Sequence, residues 1–465
     1  MLRFFDRREF LRVGLATASL ATAAPRASAD GGTDRIPSGF GRAKSVILVY
    51  ASGGQSQLET WDPKPDAPLD VRGAFSSIAT PLPGIQLCEH MPRLARLADR
   101  YTIVRSMSHE DLDHGSATYL ALTGRYHARR SSNPPPSPHD FPTYGAVLKR
   151  MRVTNRFAYE ALHLNAPALV PFLISPGQDG GFLGREYEPL VVGDPRDSDA
   201  VLPGLAPQAD LPAIRLERRK TLKETLDNYR EQLARDQKLT DMSHLYRQAL
   251  TMLSSSRYRD AFDLAQETDA LRDRYGRHRS GQACLLARRL VEAGVPFINV
   301  IWNHSNRGQD ADPADTDVYG WDTHNDIFDA LKLHLLPRFD ESFATLLEDL
   351  DERGLLDQTL VVCMGEFGRA PRVALEPNFA GNLPGRKHWS AVYSIVMAGA
   401  GLRRGAVLGA SDRLGAEPLT ERYGPWDVAA TMFSALGIDH ASHFTDVLGR
   451  PFPATVGRPI EGLYG

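Results

Sequence analysis

Cysteine is scarce in this chain: Cys88, Cys284 and Cys363 are the only three among 465 residues. An odd count at such wide spacing builds neither a disulfide framework nor a zinc knuckle, both of which need paired thiols. An excess of positive charge is missing as well. Lys and Arg number 54 against 57 Asp and Glu, a formal net charge of −3. Clustered surplus cations drive binding to phosphate backbones, so the composition offers no case for nucleic acid as a partner. After the first thirty residues no apolar run is long enough to span a bilayer, so no membrane span is expected once a leader is removed. No internal repeat is visible. What remains is a globular composition, 42% hydrophobic and 24% charged, in a chain long enough for one large α/β domain or two ordinary ones.

The N-terminus carries Asp6-Arg7-Arg8-Glu9-Phe10-Leu11-Arg12, an Ala/Thr/Leu-rich stretch to Ala24, then Ala27-Ser28-Ala29. A charged region, a short apolar region and an A-x-A site in that order describe an export signal and not a structural helix. The paired arginines before Phe-Leu point to the twin-arginine kind, an ordinary secretory signal being the other reading. Residues 1–29 are therefore read as a leader, residues 30–465 as the mature domain, and the destination as periplasmic or secreted. Twin-arginine export carries folded proteins, often with a cofactor already bound, which favours a metal site.

The rest of the chain is organised around residues 354–369, GLLDQTLVVCMGEFGR. Leu360 to Cys363 form a short apolar, partly β-branched run of the kind buried on both faces of a parallel sheet. It stops at Gly365-Glu366-Phe367-Gly368, which puts a carboxylate where open α/β sheets bind ligands, beyond the C-terminal end of a strand. Upstream, Leu336 to Arg353 is predicted helical, with Phe339, Phe343, Leu346, Leu347 and Leu350 on one face. Ser45–Tyr50, Tyr101–Ser106, Val295–Trp302 and Ala391–Met397 read as further strands, and Pro142–Met151 and Asp427–Leu436 as helices. Residues from about 213 to 291 are strongly helical in pattern and are expected to form a helical insertion or cap.

Chemistry-bearing residues gather after the predicted strands. His109-Glu110-Asp111-Leu112-Asp113-His114 follows one strand and leads into a helix ending at Gly124. Acids alone there would suit a solvated helix N-terminus, whereas two histidines beside them favour a site. Asp322-Thr323-His324 follows another strand and puts a carboxylate and an imidazole within reach of one ion. His388 stands beside Trp389 just before a predicted strand, a setting in which a histidine is more often packed than liganding.

Three segments resemble sulfatases and related phosphatases of the alkaline phosphatase-like superfamily. LDESFATLLEDLDERGLLDQTLVVCMGEFG resembles the segment ending in their metal-binding turn, DHGSATYLALTGR their nucleophile region, and WDVAATMFSALGID their C-terminal helix. The GGQSQLETWDPKPDAP opening, the GFLG loop, WDTH, GEFGR and GRKHW resemble more closely the exported domain-of-unknown-function 1501 family. The resemblance implies a three-layer α/β sandwich with a mainly parallel central sheet. It implies Asp322, His324, Glu366 and His388 as ligands of a divalent metal, zinc first and calcium or magnesium next. His109 is a further candidate ligand, and His114 falls at the catalytic nucleophile position, where relatives carry a hydroxyl or a modified cysteine. Ser52 falls where relatives have an Asp, and Ser116 lies two residues off the nucleophile register. The expected function is a metal-dependent hydrolase of sulfate or phosphate esters, its substrate an anionic small molecule or polysaccharide. The alternative is a catalytically silent binding protein that keeps the fold.

Overall fold

Strand β1 (Ser45–Tyr50) shows why the sheet is covered on both sides. Ile47 and Val49 enter one hydrophobic core, while Val46, Leu48 and Tyr50 enter another, and every residue of the strand is buried. Thr359–Met364 alternates likewise, with Val361 and Cys363 on the first face and Leu360, Val362 and Met364 on the second. Such runs, buried throughout and apolar from the second residue on, suit a strand covered by helical layers on both faces. The computed structural model describes residues 37–151, 160–170, 172–196, 260–303, 305 and 319–465. The expected leader and residues 213–259 of the expected insertion lie outside the described residues.

Seven more strands complete the sheet: β2 (Thr102–Met107), β3 (Ala161–Leu164), β4 (Leu190–Val192), β5 (Phe297–Ile301), β6 (Thr359–Met364), β7 (Tyr393–Gly399) and β8 (Ala406–Leu408). Their order is β8-β2-β7-β6-β1-β5-β3-β4. β1 pairs in parallel with β5 and β6, β3 with β5 and β4, and β8 with β2. Only β7 runs against its neighbours β6 and β2. This is the three-layer, mainly parallel α/β sandwich expected from the sequence. One layer holds α3 (Arg279–Ala293) and α4 (Leu336–Glu352); the other holds α1 (His114–Thr123), α2 (Tyr144–Met151) and α5 (Pro425–Ala435). Helix α3, most of which falls in the range expected as an insertion, packs against β5 and α4 and is part of the layer itself.

The antiparallel β7 matters most for the site. The parallel strands bring the residues after Tyr50, Met107, Ile301 and Met364 to one edge of the sheet. Because β7 is reversed, its N-terminal end reaches that same edge, with Tyr393 paired to Met107. Residues just before β7 therefore meet residues just after the other strands. A short ladder, Gly368 with Trp389 and Arg369 with His388, fixes the register of that meeting.

Candidate metal centre

Helix α1 begins at His114 because Asp113, in extended conformation, accepts a hydrogen bond from His114 N at 3.0 Å. It ends at Gly124 in the left-handed region at φ 68°, a conformation that glycine adopts without strain. The helix is buried along its length, so the His114 ring is driven inward, toward the sheet edge. Asp322 and His324 arrive from the segment after β5. Trp321 N donates to Ser52 O at 3.1 Å and Asn303 Nδ2 to the same oxygen at 2.6 Å, tying that segment to the end of β1.

His114, Asp322, His324 and His388 each offer one donor atom to a single space, all within 4.8 Å of one another. Asp322 Oδ1 lies 3.1 Å from His114 Nε2, 3.1 Å from His324 Nε2 and 3.4 Å from His388 Nε2. The two Nε2 atoms of His324 and His388 are 2.8 Å apart. Glu366 does not join them. Its Oε1 accepts from His114 Nδ1 at 2.6 Å and from Gly53 N at 2.8 Å, and its Oε2 accepts from Tyr50 Oη at 3.0 Å. Glu366, expected as a direct ligand, stands behind His114 and outside the four-donor group. His109 is corrected too: Nε2 donates to Glu366 O at 2.6 Å and Nδ1 accepts from Asp111 N at 3.1 Å, which leaves no nitrogen for an ion. His114, expected as the catalytic group, sits among the donors. Ser116 Oγ points to Asp111 Oδ1 at 2.7 Å and also accepts from Ser132 N, so it pins a loop and does not face the cluster.

The donors suit a divalent metal. A carboxylate only accepts, so His114 Nδ1 carries the proton toward Glu366. His388 Nδ1 likewise donates to Leu112 O at 2.7 Å. Both rings therefore turn Nε2 toward the shared space, the arrangement in which a ligand histidine is oriented by an acceptor behind it. His114 Nε2 is buried and lacks a well-directed hydrogen bond to the Asp322 oxygen 3.1 Å away, a position a cation can take by displacing its proton.

Burial disfavours the charged form of every imidazole here. For His114 the two carboxylates overcome burial, and its pKa rises to about 9 in the metal-free protein. Burial, then the charge on His114, pushes His388 down to about 3, and His324 also falls, burial being the main cause. Burial opposes ionisation of Asp322 and Glu366 as well. His114 and Arg369 nevertheless hold Asp322 well below the usual range, and His114 lowers Glu366. Both acids are ionised at neutral pH.

In the sequence Arg369 stands out only as the last residue of GEFGR. It is fully buried, and Nη2 reaches Asp322 Oδ1 at 2.7 Å while Nε donates to Gly54 O at 3.0 Å. Nη2 also bonds Gly53 O, and Nη1 bonds Arg386 O at 3.2 Å. Arg369 thereby joins the turn after β1, the turn after β6 and Asp322. Behind it, Arg386 forks onto Glu59, with Nε 3.0 Å and Nη2 2.6 Å from its carboxylate oxygens. Arg386 precedes His388 by two residues and Glu59 follows the Gly53-Gly54 turn, so this buried pair ties together two ends of the site. An arginine two residues before a candidate ligand was the only signal, and its partner could not be read from one chain.

No curated protein matches the chain. Among solved structures, it resembles a protein in the alkaline phosphatase superfamily from Vibrio parahaemolyticus, at 12% identity and a TM-score of 0.40, covering 94% of this chain and 76% of the other. A phosphonate monoester hydrolase from Silicibacter pomeroyi shares 14% identity at a TM-score of 0.39, with coverages of 89% and 75%. A sulfatase from Pseudoalteromonas sp. shares 15% at 0.37, with coverages of 93% and 72%. The family described as "Protein of unknown function (DUF1501)" matches residues 43–464, essentially the whole described domain, and the chain belongs to that family.

Proposed function

We propose that this protein is an exported, metal-dependent hydrolase of sulfate or phosphate esters, acting on anionic small molecules or polysaccharides. One observation carries the reading: His114, Asp322, His324 and His388 converge on one space with two imidazole tautomers already set for ligation. Three imidazole nitrogens and one carboxylate oxygen form a zinc-type donor set, whereas calcium and magnesium take mainly oxygen. Such an ion, when bound, supplies Lewis-acid polarisation of an ester oxygen and eases deprotonation of water. The chain's own residues keep the donors in place. Glu366 and the Leu112 carbonyl orient two imidazoles, and the Arg369 guanidinium orients Asp322. Asp322 and Glu366 are offset in part by Arg369, so a divalent ion leaves the site net positive and attractive to an anionic ester.

One observation favours the silent binding protein instead. The Ser116 hydroxyl is committed to Asp111, so α1 supplies no free alkoxide-type nucleophile. Elemental analysis of purified folded protein, followed by a screen of aryl sulfates and aryl phosphates, separates the readings. A stoichiometric metal with hydrolysis that chelators abolish supports the hydrolase. Bound metal without turnover of any ester leaves the silent protein. Export rests on Arg7, Arg8 and Ala27-Ser28-Ala29. Replacing both arginines by lysine is expected to retain a longer precursor inside the cell, and unchanged export would sink the twin-arginine reading.

A further inference from the structure

The Phe379 ring lies flat on the His324 imidazole, with centroids 3.7 Å apart and planes 6° from parallel. One face of Phe379 is covered by a candidate ligand. Yet Phe379 remains 42% exposed while His324 is only 4% exposed. The residue therefore keeps area open to solvent although the ring face toward His324 is covered. An aromatic ring that served only to support His324 would gain more by burying both faces.

The loop that carries this ring is built to hold it there. Asn325 Nδ2 donates to Glu376 O at 2.9 Å, Phe379 O at 3.2 Å and Ala380 O at 3.1 Å, and Asn325 Oδ1 accepts from Glu376 N at 2.8 Å. Asp326 Oδ1 accepts from Leu383 N at 2.6 Å and from Asn382 N at 3.1 Å. Asp326 itself sits in the left-handed region at φ 52°, a strained choice for a residue that is not glycine. Gly381 is required: a Cβ there would meet Asp326 Oδ2 at 2.4 Å. The segment that supplies Asp322 and His324 thus also clamps the loop that places Phe379 over His324.

Leu112, whose carbonyl holds His388 on the other side of the cluster, is 48% exposed. The nearby Lys387 is paired with Glu376 at 3.2 Å. Resting on the hydrolase reading above, we infer that Phe379 is a specificity-determining platform for a neutral ring in the alcohol part of the ester, such as an unsubstituted sugar ring or an aryl group. The anionic ester group then lies toward the His/Asp cluster, and the ring attached to it stacks on the outer face of Phe379.

Phosphonates, whose P–C bond an ester hydrolase does not cleave, test this by binding alone. Calorimetry would compare phenylphosphonate with methylphosphonate on zinc-loaded protein, wild type and the Phe379→Ala and Phe379→Trp variants, with zinc content measured for each. Wild type is expected to bind the phenyl compound about tenfold more tightly. Phe379→Ala should bring that ratio close to one with zinc still bound, and Phe379→Trp should keep or raise it. Equal binding of both probes by wild type, or equal weakening of both in Phe379→Ala, overturns the platform and leaves the hydrolase reading standing. If zinc-loaded wild type binds neither probe, the anionic-ester reading fails and the platform falls with it.

Discussion

Replacing Glu366 by Gln isolates what a single buried charge does for this site. The glutamine carbonyl can take the Oε1 position, where it still accepts from His114 Nδ1 and Gly53 N, now 2.6 and 2.8 Å away. The amide nitrogen then faces Tyr50 Oη, which can accept because Thr118 Oγ1 lies 2.8 Å from it and either hydroxyl can donate. Size and hydrogen bonds are thus conserved, and only the charge behind His114 is lost. Removing the carboxylate behind a ligand histidine typically costs about 10–100-fold in metal affinity. That corresponds to about 1.4–2.8 kcal/mol. Competition for zinc against a chromophoric chelator at pH 7.5 reads this directly, and the metal-free variant should also unfold at a lower temperature, because the charged His114 loses one of its two carboxylate partners. Glu366→Ala would behave differently. It leaves the buried Gly53 N without an acceptor, at a cost of about 1–3 kcal/mol in folding besides the weaker metal binding. If Glu366→Gln binds zinc within twofold of wild type, the carboxylate does not tune His114 and the orientation argument is wrong.

Other perturbations have distinct signatures. His163 is fully buried in β3 and burial pushes its pKa down to about 4, below the ordinary value of 6.5. The neutral form is therefore the one the fold favours: its contribution is complete above pH ~6.5 and is lost as pH falls toward 4, by about 3 kcal/mol in all. His163→Leu should flatten that part of the stability–pH curve in urea titrations, and an unchanged slope would clear His163. Ser116→Ala should leave esterase activity within a few-fold of wild type, with loss of about 1 kcal/mol in stability from the Asp111 bond. A drop beyond ~10³-fold with metal still bound would make Ser116 the nucleophile. Glu59→Gln strips the charge partner from buried Arg386 and should destabilise the fold by about 3–5 kcal/mol. A denaturation midpoint equal to that of wild type would show that the pair contributes little.

Much of the fold was legible in the residues because burial on both faces leaves a local mark. Runs such as SVILVY and TLVVCM have no other stable home than a central strand, and their abrupt ends in glycine turns located the functional edge. The helix at Leu336–Glu352 was equally plain from its apolar spacing. Asp322 and His324 were picked out by residue type and by following a strand, His388 only by the resemblance to sulfatases and phosphatases. What single-chain reasoning could not decide was which way each side chain turns. Glu366 follows its strand as a ligand would, yet its oxygens face His114, Gly53 and Tyr50, and that depends on β1 lying next to β6. His388 reaches the cluster only because β7 is antiparallel, and strand direction is set by pairing across the sheet, not by the strand's own residues. Arg369 and Arg386 have partners hundreds of positions away in the chain, |i−j| = 316 for Arg369 with Gly53 and 327 for Arg386 with Glu59. Local patterning records how a residue meets water and its near neighbours. Contacts that close over such distances exist only once the whole sheet has formed.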